Sequence, residues 1–322
     1  MAPTNTLQGK HILFLAPCFH GYETMIIEKL IRKGAKVDFF PERDYSIKFK
    51  LINNLSQKLL SRLQAIHYTS IIEKTKNEQF DFLLVIRGYK ITNKFLEEFR
   101  SRNPQAKKIM YQWDSNATNP FQHVKDAFDR VLSFDYRDCR EMSLEYLPLF
   151  HTDDVIIRDK KGKYESDFFF MGTYIPERYR AVVEFRQRYQ NQYKINSYIY
   201  IPATSLMKER LKRTSLSLDL VSTVHMPRAT YLEMLNETRV MVDVSNKDQT
   251  GLAMRIIEAI SMKKKIATNN RYILNEPFYN PDNICVFDAN NPQIPDSFVN
   301  TPFVGEPHTL SLGQWIDELL MA

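Results

Sequence analysis

Short apolar runs alternate with amphipathic stretches along the whole chain. In the stretches 22–33 and 92–102 the apolar residues recur at intervals of three and four, which predicts helices with one buried face. The continuous apolar runs predict strands that are buried on both faces. In the first half these runs lie at 11–17, 36–40, 80–86, 107–113 and 130–134. Their order indicates repeated β-α-β units, and hence a parallel sheet of the doubly wound α/β class.

The pattern starts again after a polar, charged stretch at 152–166. The runs of the second series lie at 167–171, 195–201, 239–245, 264–268 and 283–287. Two α/β series in one chain predict two tandem Rossmann-like domains, with a cleft between them. We place an N-terminal domain at 1–155 and a C-terminal domain at 156–322, whose last helix is able to pack back on the N-terminal domain.

Length and composition agree with this organisation. A chain of 322 residues suits two domains, and 43% hydrophobic with 25% charged residues is typical of a folded globular protein. Three widely spaced cysteines form neither a metal-ligand pattern nor a disulfide framework. The N-terminus lacks the features of a signal peptide, and no apolar run reaches the length of a membrane span. We therefore expect a cytoplasmic protein.

The positive charge is concentrated in the first half. Residues 1–160 carry 25 Lys/Arg against 20 Asp/Glu, within a formal net charge of +6 for the whole chain. This excess is small and accompanies no recognised nucleic-acid motif, so a membrane surface or an anionic ligand is favoured over nucleic acid. Residues 45–76 form a basic amphipathic segment that could contact the inner face of an anionic membrane; alternatively, they cover the sheet.

Glycine is scarce, with nine in the chain, so each one is expected at a position where the backbone conformation or a close contact requires glycine. Gly34 follows a helical run and is typical of a left-handed helix C-terminus. Gly21, Gly88, Gly172 and Gly251 each follow a predicted strand, at the edge where open α/β sheets bind ligands. Ordinary tight turns are the alternative explanation for any one of them.

The most informative local segment is 243–270. A predicted strand runs into a polar loop, and Gly251 is expected to open a helix whose apolar face carries Ile256, Ile257 and Ile260. A helix N-terminus beside a glycine suits a phosphate or diphosphate, and Arg255 in the first turn adds a forked donor. Glu258, one turn later, could accept hydrogen bonds from sugar hydroxyls. A surface helix with a solvated Arg and Glu is the alternative.

This segment resembles a known family. The stretch from Gln249 to Arg255, followed by Ile257-Glu258-Ala259 and the basic turn 263–265, is similar to the donor-binding segment of bacterial capsular and exopolysaccharide glycosyltransferases of GT-B fold. The opening at 11–43 and the stretch 81–92 are similar to the same proteins, so the resemblance covers most of the chain. The wider group of retaining enzymes has Glu-x7-Glu. Here Thr250 takes the place of the first Glu, and Gln249 and its neighbours are candidates for its role.

The resemblance implies transfer of a sugar from a nucleotide-sugar donor, held in the C-terminal domain, to a glycan or lipid-linked glycan acceptor in surface polysaccharide synthesis. It implies no cofactor. The chain contains no Asp-x-Asp triplet, so we expect helix N-termini and arginines to neutralise the diphosphate without a metal. The candidate donor-binding residues are Gly172, Thr173, Arg178, Gln249, Thr250, Gly251, Leu252, Arg255 and Glu258.

The N-terminal domain offers candidates for the acceptor side. Asp114 lies at a predicted strand end beside Trp113, so it is a candidate general base, although Asp before Ser-Asn also suits a helix N-cap. His20 is the alternative base. The candidate acceptor-binding residues are Gly21, Tyr22, Arg87, Gly88 and Trp113.

Two functional classes stay open. The first is a metal-independent glycosyltransferase, with retention and inversion both allowed. The second is a non-catalytic nucleotide- or carbohydrate-binding protein on the same two domains, since fold alone does not confer chemistry.

Overall fold

The computed structural model describes residues 6–45, 49, 56–157, 163–212, 214 and 216–321. The chain divides into two compact units, Met1–Pro148 with Leu312–Ala322 and Leu149–Ser311. The division therefore falls N-terminal of the boundary placed at 155/156, and the C-terminal helix groups with the first unit.

The first unit contains a parallel sheet of six strands in the order β2-β1-β3-β4-β5-β6. The strands are β1 (His11–Ala16), β2 (Lys36–Pro41), β3 (Phe82–Ile86), β4 (Lys107–Gln112), β5 (Arg130–Ser133) and β6 (Glu145–Tyr146). The central strands β1 and β3 are buried at every position, which is why they read as continuous apolar runs in the sequence.

Helices cover this sheet. They are α1 (Tyr22–Arg32), α2 (Gln57–Lys74), α3 (Asn93–Arg102), α4 (Tyr136–Met142) and the C-terminal α10 (Leu312–Met321), with a 3₁₀ helix at Gln122–Ala127. Aromatic side chains of α2 and α3, among them Tyr68 and Phe99, form one core with Leu13 and Leu83 of the sheet. The fully buried Trp315 of α10 packs edge-on against Tyr111 of β4. This contact shows why α10 belongs to the first unit.

The amphipathic segment 45–76 is only partly described. Its helix α2 packs on the sheet through Leu60, Tyr68 and Ile71, as expected for a helix that covers the core, while Leu59 and Ile66 are exposed. Residues 46–48 and 50–55 lie outside the described part of the chain. Among the described residues, no helix combines the length and the apolar character needed to cross a bilayer.

The second unit repeats the architecture with a parallel sheet in the order β10-β9-β8-β11-β12-β13. Its strands are β8 (Ser166–Thr173), β9 (Ile195–Tyr200), β10 (Val221–Ser222), β11 (Thr238–Asp243), β12 (Lys265–Thr268) and β13 (Ile284–Val286). A short parallel pair, β7 (Phe150–His151) and β14 (Leu310–Ser311), completes the strands.

The helices of the second unit pack on a core rich in aromatic residues. They are α5 (Pro176–Tyr189), α6 (Ala203–Leu211), α7 (Arg228–Asn236), α8 (Met254–Ser261) and α9 (Asp296–Asn300), with a 3₁₀ helix at Arg271–Asn275. Phe168 of β8 contacts Phe185, Tyr189 and Tyr193 through its ring. The predicted fold class, α/β with two Rossmann-like sheets, is confirmed.

Candidate functional site

The strand order of each sheet locates the point where a ligand is expected. The chain builds the first sheet outward from β1 to β2 and then resumes at β3 on the other side of β1. It builds the second from β8 through β10 and resumes at β11 on the other side of β8. In open α/β sheets, ligands bind at the carboxyl ends of the two strands that flank such a reversal. Ligand-binding residues are therefore expected at the ends of β1 and β3 in the first sheet, and of β8 and β11 in the second.

Arg178 spans the reversal point of the second sheet. Its Nη1 donates to the Thr173 carbonyl at the end of β8 (2.8 Å), and its Nε donates to the Val244 carbonyl just after β11 (2.8 Å). A Cβ built on Gly172 would lie 3.4 Å from Cδ of Arg178 and 3.1 Å from the Phe170 ring. Gly172 therefore leaves room for the arginine stem to cross the strand end.

A buried ion pair lies beside Arg178. Asp243, fully buried at the end of β11, pairs with Arg255 in the first turn of α8. Its Oδ2 also accepts hydrogen bonds from Ser245 Oγ (2.7 Å) and Thr268 Oγ1 (2.8 Å). The loop after β11, the end of β12 and the start of α8 thus converge on one carboxylate. We call Arg178, Asp243 and Arg255 the switch-point cluster.

The switch-point cluster carries more positive than negative charge. Burial and the nearby Arg255 lower the pKa of Arg178 to about 10, against the opposing effect of Asp243. Burial alone would raise the pKa of Asp243, but Arg255, the two hydroxyls and Arg178 outweigh it, so the net pKa lies below its ordinary value. Two guanidinium groups thus lie in the electrostatic field of one carboxylate, which pairs directly with Arg255, and an additional anion would balance the excess positive charge.

The helix that follows does not start at Gly251, as expected from the sequence, but at Met254, with Ala253 as the N-cap. The residues before it form a loop that is held from the end of β12. Asn270 Nδ2 donates to the Thr250 carbonyl (3.0 Å) and to the Gly251 carbonyl (3.4 Å), and Gln249 Nε2 donates to Gly251 (3.0 Å). Leu252 is buried. No side chain caps α8, so its first amides receive no hydrogen bond from an N-cap side chain.

Glu258 pairs with a residue outside the switch-point cluster. It is 1% exposed, and its Oε1 pairs with Nη1 of Arg228 at the start of α7 (2.9 Å). The same guanidinium binds Asp154 (Nε to Oδ2, 2.6 Å) and Thr152 (2.7 Å). This enclosed position is neither that of a solvated surface glutamate nor that of a side chain open to a sugar ligand. A contact between Glu258 and the donor sugar stays a prediction.

In the first unit, Arg87 directly follows β3, at the reversal point of the first sheet. Its guanidinium pairs with the fully buried Glu42, which follows β2, and its Nη1 lies 3.3 Å from Oδ2 of Asp114, which follows β4. Glu42 also accepts the Tyr89 amide (2.8 Å). The ends of three strands are thus joined through one arginine.

The backbone at this point is unusual. Arg87 has φ 67° and Gly88 has φ 66°, and the Gly88 amide donates back to the Ile86 carbonyl (2.8 Å), so Arg87 is the centre of a γ-turn. The Arg87 carbonyl accepts both the Gln112 and the Asn119 side-chain amides at 3.0 Å. A Cβ on Gly88 would lie 2.9 Å from Val85, so glycine is required there. Backbone conformations that cost free energy and are fixed by surrounding hydrogen bonds are typical of functional sites.

Asp114 and Trp113 lie in the loop after β4, together with aromatic residues from α1. The Trp113 ring lies 5.5 Å from the ring of Tyr22, in the first turn of α1. Gly21 is the left-handed N-cap of α1 (φ 78°), and the exposed His20 before it has φ 52° and contacts Phe19. No helix begins directly after Asp114, since residues 116–118 form a turn and the next helical segment starts at Gln122, so the N-cap alternative is wrong.

A buried acid supports this loop from α4. Asp138 Oδ2 accepts the Asn116 amide (2.6 Å). Burial raises the pKa of Asp138 to about 6, although that hydrogen bond opposes the shift. The loop that carries Asp114 is therefore attached to a buried carboxyl group with a raised pKa.

Sequence reasoning missed several residues of these networks, among them Glu42, Asp243 and Arg228. Asp243 lies within the predicted run 239–245 and ends β11, and a carboxylate near a strand end is the one signal that was available for it. Glu42 and Arg228 carry no local signal, because their partners Arg87 and Glu258 are distant in the chain.

Solved structures resemble the whole chain. AviGT4, a glycosyltransferase involved in avilamycin A biosynthesis, superposes with a TM-score of 0.61 over 97% of this chain and 99% of its own, at 10% identity. Sucrose-phosphate synthase from Thermosynechococcus elongatus gives 0.58 over 87% of each chain, at 10% identity. The UDP-GlcNAc 2-epimerase from Neisseria meningitidis bound to UDP-GlcNAc gives 0.56 over 97% and 100%, at 9% identity.

These similarities decide the architecture. The chain has the GT-B fold. No protein-family model matches the sequence. No curated protein matches it either. At these identities the structural likeness shows the fold alone, and the fold includes both glycosyltransferases and UDP-sugar epimerases.

Proposed function

We propose that this protein is a glycosyltransferase that moves a sugar from a nucleotide-sugar donor to a glycan or lipid-linked glycan acceptor. The proposed setting is the synthesis of a surface polysaccharide such as capsule, exopolysaccharide or lipopolysaccharide. The setting rests on the resemblance of 249–265 to the donor segment of such enzymes.

The observation that carries the proposal is the switch-point cluster. It holds two guanidinium groups but a single buried carboxylate, which pairs with Arg255, at the strand reversal of the second sheet and next to the start of α8, which no side chain caps. A diphosphate bound there would add the missing negative charge and accept hydrogen bonds from the α8 amides. Arg178 and Arg255 are the proposed diphosphate ligands, with Thr173 and the 249–252 loop beside them.

The first unit supplies the proposed acceptor side. Asp114 is the proposed general base for an acceptor hydroxyl, and its neighbour Arg87 orients the carboxylate through the 3.3 Å contact. His20, Gly21, Tyr22, Gly88 and Trp113 are the proposed acceptor contacts. A peripheral contact of 45–76 with an anionic membrane, at its cytoplasmic face, fits a lipid-linked acceptor and belongs to the same proposal.

The proposal is tested with a panel of nucleotide sugars and the full-length protein, first without and then with short glycan acceptors. We expect slow release of free nucleotide from one donor, and faster release with the right acceptor. Calorimetric binding of a donor with no turnover would instead favour the non-catalytic binding protein. Conversion of the donor sugar with no release of nucleotide would place the protein with the epimerases of this fold.

Turnover is expected to persist in excess chelator, because arginines and helix amides neutralise the diphosphate in the proposed site. The measurement is the rate of nucleotide release before and after dialysis against EDTA. Loss of the rate, with recovery on addition of Mg²⁺ or Mn²⁺, would contradict this expectation. A change of less than about twofold would not, since divalent ions can also alter product release.

A further inference from the structure

A histidine and two carboxylates meet at the opposite, amino edge of the first sheet. His11 is the first residue of β1, Asp38 lies in β2, and Glu78 lies in the turn that precedes β3. One ligand atom from each lies within 4.8 Å of the others. The carboxyl edge, with Arg87 and Asp114, lies at the other end of these strands.

Strand pairing fixes the backbone positions of two of the three residues. His11 pairs with Lys36 and Leu13 pairs with Asp38, so His11 and Asp38 are diagonal neighbours on one face of two parallel strands. The His11 side chain is 11% exposed, and its ring lies 4.3 Å from the Phe80 ring. Sites built on strands with packed side chains hold their geometry better than sites on loops.

The hydrogen bonds of His11 determine which ring nitrogen is available. Nδ1 lies 2.8 Å from the Gln79 carbonyl, which can only accept, so Nδ1 carries a hydrogen. Nε2 then faces Oδ2 of Asp38 at 3.0 Å. Metal-binding histidines characteristically donate their second ring N–H to a carbonyl or carboxylate in this way, and that donation orients the ligand nitrogen.

We propose that His11, Asp38 and Glu78 form a binding site for a divalent metal ion of the zinc class. An imidazole nitrogen and two carboxylates match the ligand preferences of Zn²⁺. Bonds of about 2.1 Å to a tetrahedral ion separate ligand atoms by roughly 3.4 Å. Oδ2 of Asp38 lies 3.0 Å from Nε2 of His11, and one ligand atom of each of the three residues lies within 4.8 Å of the others. The site lies away from the proposed sugar-transfer residues, so its role is to tie β1, β2 and the turn before β3 together.

Glu78 is the adjustable ligand. Its Oε2 lies 3.8 Å from Nδ1 of His11 and is bound by Nζ of Lys36 at 2.8 Å. Both partners are well exposed, at 42% for Glu78 and 61% for Lys36, so the lysine can swing away when a metal binds. Lys36 is therefore a competitor of the metal. Two further charged residues at this edge, Asp81 and Lys10, pair with each other at 2.9 Å.

The test is a Zn²⁺ titration of the full-length, metal-free protein, followed by competition with a chromophoric chelator and by thermal unfolding. We expect one equivalent of Zn²⁺ to bind and to raise the unfolding temperature, because the ion binds only the folded site. His11→Gln and Asp38→Asn should each weaken binding more than tenfold. His308→Gln, which removes an exposed histidine of the second unit, is the matched control and should change nothing.

The Lys36→Ala variant separates a metal site from a plain ion-pair cluster. Removal of the competitor should tighten Zn²⁺ binding about two- to fivefold, the range of an exposed ion pair. Unchanged or weaker binding in Lys36→Ala overturns the proposal. Equal binding by His11→Gln, or no binding up to about 1 mM Zn²⁺, overturns it as well. Should His11→Gln fail to fold, Asp38→Asn provides the same comparison.

Discussion

Replacement of Asp114 by Asn is expected to lower turnover by 10² to 10⁴ while donor affinity barely changes. The carboxylate follows β4 at the carboxyl edge of the first sheet, and Arg87 holds it at 3.3 Å. Asparagine keeps the size of the side chain and can still accept from Arg87, but it cannot take a proton from an acceptor hydroxyl. A loss of this size is typical of lost general-base catalysis. The measurement is the rate of nucleotide release at saturating donor, together with donor affinity by calorimetry.

The control is Asp126→Asn in the same unit, where the aspartate side chain is 94% exposed and only loosely paired with Lys125. This variant should turn over like the wild type. If Asp114→Asn also turns over normally, the base is not Asp114, and His20 is the next residue to replace. A parallel fall in stability and turnover would instead mean that the Arg87 network has a structural role only.

The strands that form the cores were predictable because each is a continuous apolar run. β1 and β3 are buried at every residue, and a parallel sheet covered on both faces demands that pattern. The two-residue strands β6, β7, β10 and β14 were not predictable. They are too short to show a period, and they are defined by their neighbours rather than by their own composition.

The candidate site was predictable in position but not in its pairings. Strand ends and glycines located Arg87, Gly172 and Arg178 at the correct edges, since parallel strands bring their carboxyl ends together. The partners came from elsewhere in the chain: buried Glu42 for Arg87, and Arg228 for Glu258. Such pairs depend on tertiary packing, so no local spacing encodes them.

The start of α8 shows how a tertiary contact overrides a local signal. A glycine before an amphipathic stretch favours a helix start at Gly251. The Asn270 side chain instead binds the Thr250 and Gly251 carbonyls, which holds these residues in a loop and delays the helix to Met254. The amides proposed to bind an anion therefore belong to the turn around Met254 and Arg255.

The pairings also change what a donor-site mutation is expected to do. From the sequence, Arg255→Ala and Glu258→Ala should weaken donor binding and leave the fold intact. In the structure, Arg255 pairs with the fully buried Asp243, and the buried Glu258 pairs with Arg228. Removal of Arg255 leaves the buried Asp243 charge without its counter-charge, so Arg255→Ala should also lose stability. Glu258→Ala leaves Arg228 paired with Asp154, so its effect on stability should be smaller.

Arg255→Ala is expected to destabilise the second unit by about 3–5 kcal/mol at neutral pH, because Asp243 is fully buried and loses its main counter-charge. The direction in which this loss of stability changes with pH follows from the lowered pKa of Asp243 in the folded protein. Its stabilising contribution is present above the unfolded pKa of about 3.9 and is lost as the pH falls through the folded value. The stability deficit of the variant should therefore shrink below about pH 4, as measured by denaturant unfolding between neutral pH and about pH 2.

The double variant Arg255→Ala/Asp243→Asn separates the structural role of Arg255 from its proposed role in binding the donor. Asparagine removes the stranded charge and can still interact with Ser245 and Thr268, so much of the lost stability should return. Donor affinity should not return, because the guanidinium proposed to bind the diphosphate is still absent. We expect it to stay roughly ten- to a hundredfold below the wild type, the range of a lost charge-assisted hydrogen bond. Wild-type donor affinity in the double variant would show that Arg255 serves only to neutralise Asp243, and Arg178 with the α8 amides would then be left as the candidate diphosphate ligands.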